Sequence, residues 1–105
     1  MIEFGVFFDG VAKAIYQGKN VYIDKSGKIL FYSDINPETM KDYLFFFSDG
    51  LVKKVKSGKY GFLDKSGKEV VPLKFDWADN FSNGTALVLK NEAPYFIDRN
   101  GKRIE

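Results

Sequence analysis

The sequence contains neither cysteine nor histidine in its 105 residues. The absence of cysteine excludes disulfide bonds, thiolate metal sites and a cysteine nucleophile. The absence of histidine removes the commonest general base and the commonest protein ligand for metal ions. Most enzyme classes depend on one of these side chains. We therefore expect a protein that is not an enzyme and that holds no metal ion and no cofactor.

Long apolar runs are absent as well. No stretch approaches the roughly 18 apolar residues that a membrane-spanning helix requires. Residues 1–5 lack the basic flank and the apolar stretch of a signal peptide. Hydrophobic residues make up 45% and charged residues 29% of the chain, which is typical of an ordinary folded domain. We expect a cytoplasmic protein without membrane contact, folded as a single domain over residues 1–105.

Three similar segments follow one another along the chain. Each begins with an Asp-Gly or Asn-Gly pair, at Gly10, Gly50 and Gly84, and runs to the glycine of an Asp-x-x-Gly-Lys string, at positions 27, 67 and 101. The inner length of the three copies is therefore the same, whereas the connections between them differ in length. We place the repeats at about residues 7–32, 47–73 and 81–104.

Each copy is predicted to fold as a β-meander. Short, partly β-branched runs follow the first glycine, and glycine-containing turns separate them. In the Asp-x-x-Gly-Lys string the carboxylate can accept backbone hydrogen bonds, and the glycine supplies a positive φ. The middle strands, around Tyr22, Phe62 and Phe96, are apolar on both faces, so we expect them to be central and covered on both sides. The predicted class is all-β, with three tandem β-meander repeats forming a small antiparallel sheet, barrel-like or solenoid-like.

The first connection is longer than the second. Asn36 suits a helix N-cap and Pro37 the first helical position, which predicts one short helical turn near Pro37–Met40. We interpret this segment as a spacer rather than as an added binding loop, because surface loops tolerate insertions at little entropic cost. Pro72 predicts that the last strand of the second copy ends there or lies at an edge, since proline cannot donate a hydrogen bond.

The middle copy resembles the bacterial WG repeat. That family takes its name from a Trp-Gly pair inside a Gly-Lys-Trp-Gly-Tyr-Ile-Asp-Lys-Gly type of string. Residues 58–64 follow this order, with Tyr60-Gly61 at the pair, whereas the outer copies depart to Asn20-Val21 and Pro94-Tyr95. The resemblance covers the chain from about residue 7 to residue 104. It implies a β-rich repeat used for binding or scaffolding, without catalytic residues.

A basic block occupies the second copy. Between Asp49 and Lys68 there are six lysines and two acidic residues, although the whole chain carries a net charge of only +2. Basic residues interleaved with aromatic rings are typical of nucleic-acid surfaces. No RNA-binding aromatic motif is present, so we favour a solvated lysine face that discourages pairing of strand edges. The candidate partner-binding residues are Lys53, Lys54, Lys56, Tyr60 and Trp77.

Three functions remain open on these residues. The leading hypothesis is a non-enzymatic module that binds another protein, or a second copy of itself through an exposed strand edge. A sharper alternative is a small inhibitor or immunity protein of a bacterial toxin or enzyme, in which the lysines match an acidic target. The third is a cell-wall or carbohydrate-binding module. It requires exposed stacking rings in one row, at Tyr16, Tyr60, Trp77 and Tyr95.

Overall fold

The structure of the protein, a computed structural model, describes residues 3–4, 7–33 and 46–104. These residues form β-strands and no helix, which confirms the all-β class, and accordingly none of them belongs to a helix able to cross a membrane. The helical turn predicted near Pro37–Met40 lies outside the described residues. The strands are β1 (Glu3–Phe4), β2 (Val11–Tyr16), β3 (Lys19–Asp24), β4 (Ile29–Tyr32), β5 (Val52–Lys56), β6 (Lys59–Leu63), β7 (Glu69–Phe75), β8 (Trp77–Ala78), β9 (Thr85–Lys90), β10 (Ala93–Asp98) and β11 (Arg103–Ile104).

The strands make three antiparallel sheets, with the orders β1-β2-β3-β4, β5-β6-β7 and β8-β9-β10-β11. Each sheet contains the meander of one sequence copy. In the first and third sheets a two-residue opening strand pairs with the first meander strand at equivalent places, since Glu3 lies opposite Ile15 and Trp77 opposite Leu89. In the first and third copies the structural repeat therefore begins with this opening strand, which precedes the Asp-Gly or Asn-Gly pair seen in the sequence.

The expectation of a single, barrel-like sheet is wrong. Across the described residues the three sheets are separate and open. The reason is the joint between copies. The last meander strand, β7, ends at Phe75, and a single residue, Asp76, separates it from the opening strand β8 of the next sheet. Consequently the last strand of one copy pairs within its own sheet, and the chain starts a new sheet instead of extending the old one.

The Asp-x-x-Gly-Lys turns have the predicted chemistry. In the first copy, the Asp24 Oδ1 atom accepts hydrogen bonds from the backbone N–H groups of Ser26 at 2.9 Å and Lys28 at 3.0 Å, and from the Ser26 hydroxyl at 2.6 Å. The carboxylates of Asp64 and Asp98 accept the same pair of backbone N–H groups in their own turns. The glycine of the string has a positive φ in all three copies.

Two of the three buried apolar clusters lie between successive sheets. One cluster joins the first and second sheets, and its buried members are Val11, Tyr22, Phe47 and Val52. A larger cluster joins the second and third sheets, with Phe62, Phe75, Phe81, Val88 and Ile97 among its buried members. A third cluster, around Ala12, Val21 and Ile23, belongs to the first sheet alone. Burial of apolar area at these two junctions is what holds the sheets together.

Two glycines in identical local sequences provide a matched stability test. Gly27 and Gly67 both have φ of +87° within Asp-Lys-Ser-Gly-Lys, but an added Cβ meets nothing within 4 Å at Gly27, and the Phe31 side chain at 2.7 Å at Gly67. We expect Gly27→Ala to lower the free energy of unfolding by about 1 kcal/mol through the left-handed backbone. Gly67→Ala is expected to cost at least about 1 kcal/mol more, because it overpacks the junction. Urea unfolding measures both, and equal losses would contradict the packing of Phe31 on this turn.

The turn carboxylates also predict a pH dependence. The hydroxyl of Ser26, the largest contributor, holds the pKa of Asp24 below its ordinary value, and Ser66 does the same for the pKa of Asp64. A group with a lowered pKa in the folded state stabilises the fold above its unfolded pKa of about 4, and this contribution is lost as the pH falls through the folded pKa. Unfolding free energies measured between pH 7 and pH 3 should therefore decline below about pH 4. The double variant Asp24→Asn, Asp64→Asn should decline less steeply, and an unchanged slope would argue against these turns.

Candidate functional site

The two junctions between sheets share one set of contacts, which begins at the turn opening each copy. We call this turn, Phe-x-Asp/Asn-Gly, the leading turn. The Asp9 Oδ2 atom accepts a hydrogen bond of 2.6 Å from the backbone N–H of Gly50, and the Asp49 Oδ2 atom accepts one of 2.6 Å from that of Gly84. Each leading turn is therefore tied to the next by a charge-assisted hydrogen bond, a strong class of hydrogen bond.

The leading phenylalanine of each later copy packs on the middle strand of the copy before it. The Phe47 ring lies 5.3 Å from the Tyr22 ring at an interplanar angle of 87°. The Phe81 ring lies 4.6 Å from the Phe62 ring at 76°. Edge-to-face pairs of this kind add stabilisation beyond their buried area. Tyr22 and Phe62 are, as a result, 2% and 0% exposed.

A cation also occupies matching places at the two junctions. Lys65 Nζ lies 3.7 Å from the Asp9 carboxylate, next to the turn that binds Gly50. Its counterpart in the third copy, Arg99, extends over Gly50 with Nη2 3.0 Å from the position of an added Cβ. The Lys65–Asp9 pair is solvent-exposed and contributes little to stability. The pair favours a basic residue opposite Asp9 at this junction, whereas apolar packing holds the two sheets together.

The third sheet carries the accepting half of the same junction, uncovered. We call this surface the terminal face and define it by Asn83, Leu87, Phe96 and Ile104. Phe96 lies opposite Leu87 on β9 and opposite Ile104 on β11, so the three side chains share one face of the sheet. Phe96 is 51% exposed and Ile104 39% exposed. The expectation that each middle strand is covered on both sides is therefore wrong for β10.

The lysines proposed from the sequence do not form one exposed surface, although two of them border the same cleft. Lys53 and Lys54 are successive residues of β5, and both line a cleft of about 200 Å³ between the first and second sheets. Lys53 is only 6% exposed, and burial lowers its pKa against the opposing attraction of Asp79. Lys54 is half-buried. Lys56 is exposed near the end of its hairpin.

The two aromatic candidates also have separate environments. Tyr60 is half-buried and packs against the core cluster between the second and third sheets. Trp77 lies on β8 and is 37% exposed. Nearby, Asp76 accepts hydrogen bonds from the Lys59 ammonium group and from the backbone N–H of Asn91 at 2.9 Å. This carboxylate, whose pKa is lowered chiefly by Lys59, links the tips of two hairpins and so has a structural task.

Over the part of the chain that the structure describes, no three aspartate or glutamate side chains cluster as metal ligands would. The exposed apolar group that stands out is the terminal face, and reasoning from the sequence missed it. A signal was present: Phe96 occupies the position of Tyr22 and Phe62 in its copy, and those two rings are covered by the leading phenylalanines of the second and third copies.

Comparison with protein families bears on the second and third copies. Residues 60–92 match the family model described as "WG containing repeat". These residues, about a third of the chain, are similar to the WG repeat. The match begins at the Tyr60-Gly61 pair and ends at the turn between β9 and β10, so it spans the junction between the second and third sheets. The family resemblance inferred from the sequence is thereby confirmed. No curated protein matches the chain.

The glycine of the WG-type pair has a clear packing role. A Cβ added at Gly61 would lie 2.4 Å from the carbonyl oxygen of Val71 and 2.9 Å from the backbone nitrogen of Leu73. The register between β6 and β7 shifts at this point, because Tyr60 and Phe62 lie opposite Phe75 and Val71, which are four residues apart rather than two. The bulged backbone of β7 passes directly over Gly61, and only glycine leaves room for it.

This close approach predicts a large effect of a small substitution. Gly61→Ala places a methyl group against backbone atoms that cannot rotate away, and we expect it to cost about 2–3 kcal/mol of unfolding free energy. The control is Gly58→Ala in the adjacent hairpin turn, where an added Cβ meets nothing within 4 Å and only the positive φ opposes it. That variant should lose about 1 kcal/mol. A Gly61→Ala protein as stable as the control, in thermal and urea unfolding, would rule out the close approach.

Proposed function

We propose that the protein is a non-enzymatic WG-repeat module that binds another protein through its terminal face. The observation that carries the proposal is the exposure of Phe96. Its counterparts Tyr22 and Phe62 are buried by the leading phenylalanine of the next copy, whereas Phe96 is 51% exposed and has an exposed Ile104 opposite it. Clustered exposed apolar side chains on a small domain are typical of an interaction surface.

The residues around Phe96 add to its apolar surface. Leu87 and Ile104 lie opposite Phe96 on the neighbouring strands β9 and β11, and Ile104 is 39% exposed. The Arg103 guanidinium lies on the other face of the sheet, 4.6 Å from the centre of the Tyr95 ring. An exposed aromatic ring flanked by aliphatic side chains is a suitable centre for a protein–protein contact.

Pairing of strand edges supports the proposal less well. The edge strand of the third sheet, β11, spans two residues, which allows only a short ladder with a partner strand. Of the two edge strands of the second sheet, β7 continues through Pro72, which cannot donate a hydrogen bond to an added strand, whereas β5 contains no proline. Binding through a sheet face, as at the two internal junctions, avoids both restrictions.

A carbohydrate-binding surface is not favoured either. Such a module needs several exposed rings in one row. Of the four rings that could form it, Trp77 is exposed, whereas Tyr16, Tyr60 and Tyr95 are half-buried and pack against core clusters. Their apolar area is used within the fold.

The proposal is tested with one pair of variants. Phe96→Ser removes the centre of the terminal face, and Ile15→Ser removes an apolar side chain of similar exposure, 46%, on the first sheet. In affinity capture from the native host with quantitative mass spectrometry, we expect a partner that the wild type and Ile15→Ser retain and that Phe96→Ser loses at least about tenfold. Both variants should unfold near the wild-type temperature. A partner retained equally by all three proteins, or by none, would contradict binding through this face.

A further inference from the structure

The terminal face differs from an arbitrary apolar patch, because the chain itself shows twice how such a face is covered. At both internal junctions the covering group is a leading turn. Its phenylalanine ring packs edge-on against the middle strand, and its glycine N–H donates to the aspartate of the preceding turn. The complementary partner of this type of face is therefore defined by two observed interfaces of the same molecule.

We propose that the terminal face binds the leading turn of a WG-type repeat in a second, different protein. The proposal rests on the proposed function and adds the chemistry of the partner. The partner's turn has the order aromatic-x-Asp/Asn-Gly. Its aromatic ring packs on Phe96, and its glycine N–H donates to the side-chain oxygen of Asn83.

The accepting groups of the third copy are in the required places. Asn83 has φ of +53°, against +56° for Asp9 and +54° for Asp49, so its turn has the same backbone conformation as the two that accept a glycine N–H. Its amide oxygen is an acceptor like a carboxylate oxygen, although uncharged. Phe96 and Ile104 lie opposite each other on β10 and β11, as Phe62 and Val71 do on β6 and β7.

Two differences between the third copy and the second specify the partner further. Asn83 replaces the aspartate of the earlier turns, which removes the charge that faces Lys65 at the first internal junction. Leu87 occupies the place opposite Phe96 that Lys53 occupies opposite Phe62. Lys53 is buried beside an acidic residue of the next copy, Asp79. The terminal face therefore favours a partner that carries neutral residues at the positions equivalent to Lys65 and Asp79.

A second copy of this chain is not a suitable partner. Its leading turns at 47–50 and 81–84 are already engaged at the internal junctions. In the first copy, Ala12 and Ile23 correspond to Ala86 and Ile97, which face the preceding sheet, and they are already 1% and 3% exposed. Because the face behind the first leading turn is buried, it cannot also cover Phe96 of another molecule. The proposal therefore assigns the occupant to a different protein with an available leading turn.

The test uses the full chain and a defined probe. The probe is a fluorescein-labelled synthetic peptide with the sequence of residues 46–68, which contains a leading turn and the hairpin behind it. Binding to the intact protein is measured by fluorescence anisotropy. We expect saturable binding that weakens at least about tenfold with Phe96→Ser in the protein or with Phe47→Ser in the peptide. Ile15→Ser in the protein is the control and should leave binding unchanged.

The charge difference gives a sharper arm of the same experiment. Replacing Lys65 by alanine in the peptide should not change its affinity for the wild-type protein, because Asn83 is neutral. Against Asn83→Asp protein the lysine peptide should bind about threefold more tightly than the alanine peptide at low salt, and this preference should vanish at high salt. This preference would locate the peptide's turn beside residue 83. If the peptide binds but shows no such preference, it binds elsewhere on the protein, and the proposal is overturned.

Two further outcomes would overturn it and are separable from failure of the proposed function. If the peptide does not bind but Phe96→Ser still loses the captured host protein, the terminal face binds a protein without a leading turn, and only the present inference falls. If sedimentation velocity shows dimers of the free protein that Phe96→Ser abolishes, the occupant is a second copy. If the Phe96→Ser protein retains both the peptide and the host partner, both proposals are wrong.

Discussion

The first and second sheets of this protein are each covered by a ring that the next copy supplies. A sheet of three or four short strands depends for its stability on a buried apolar face. Phe47 covers Tyr22, and Phe81 covers Phe62, in both cases edge-on. The hydrogen bond from the adjacent glycine to Asp9 or Asp49 then fixes the orientation of the incoming sheet. Removing either element would weaken a junction that the surrounding apolar cluster also holds together.

Close packing within and between the sheets explains why two of the glycines are required. At Gly61 the backbone of β7 lies against the Cα atom, so the glycine of the WG-type pair is required by the bulge within its own sheet. At Gly67 the ring of Phe31 lies on the turn, so that glycine is required by the junction. The outer copies carry Val21 and Tyr95 at the place of Gly61, and in those copies the last meander strand is shorter.

Local chemistry was predictable from the sequence, because its determinants lie within a few residues of one another. The Asp-x-x-Gly-Lys turns, the hairpins and the WG resemblance all depend on adjacent side chains, and the structure contains them. The division into three sheets was not predictable, since the opening strands β1 and β8 have two residues each and show no periodicity. The predicted barrel-like sheet does not form, because the chain passes from the second sheet to the third at the single residue Asp76.

The binding residues were harder to predict, because their exposure is decided by distant parts of the chain. Lys53 looked like a solvated lysine, yet strand alternation turns it toward the third sheet, where Asp79 offsets part of the cost of burial. Phe96 looked like Phe62, since both follow the same motif. What distinguishes them is the ring of Phe81, which covers Phe62, whereas Phe96 is exposed.

The one-residue joint at Asp76 also has an evolutionary consequence. The joint is too short to hold an inserted loop, so the second and third units change as a matched pair. Accepting residues of the second unit are constrained by the third unit that they contact. The third unit departs from the second at its own accepting positions, and Asn83 and Leu87 are the kind of substitutions that give such a face a recognition specificity of its own.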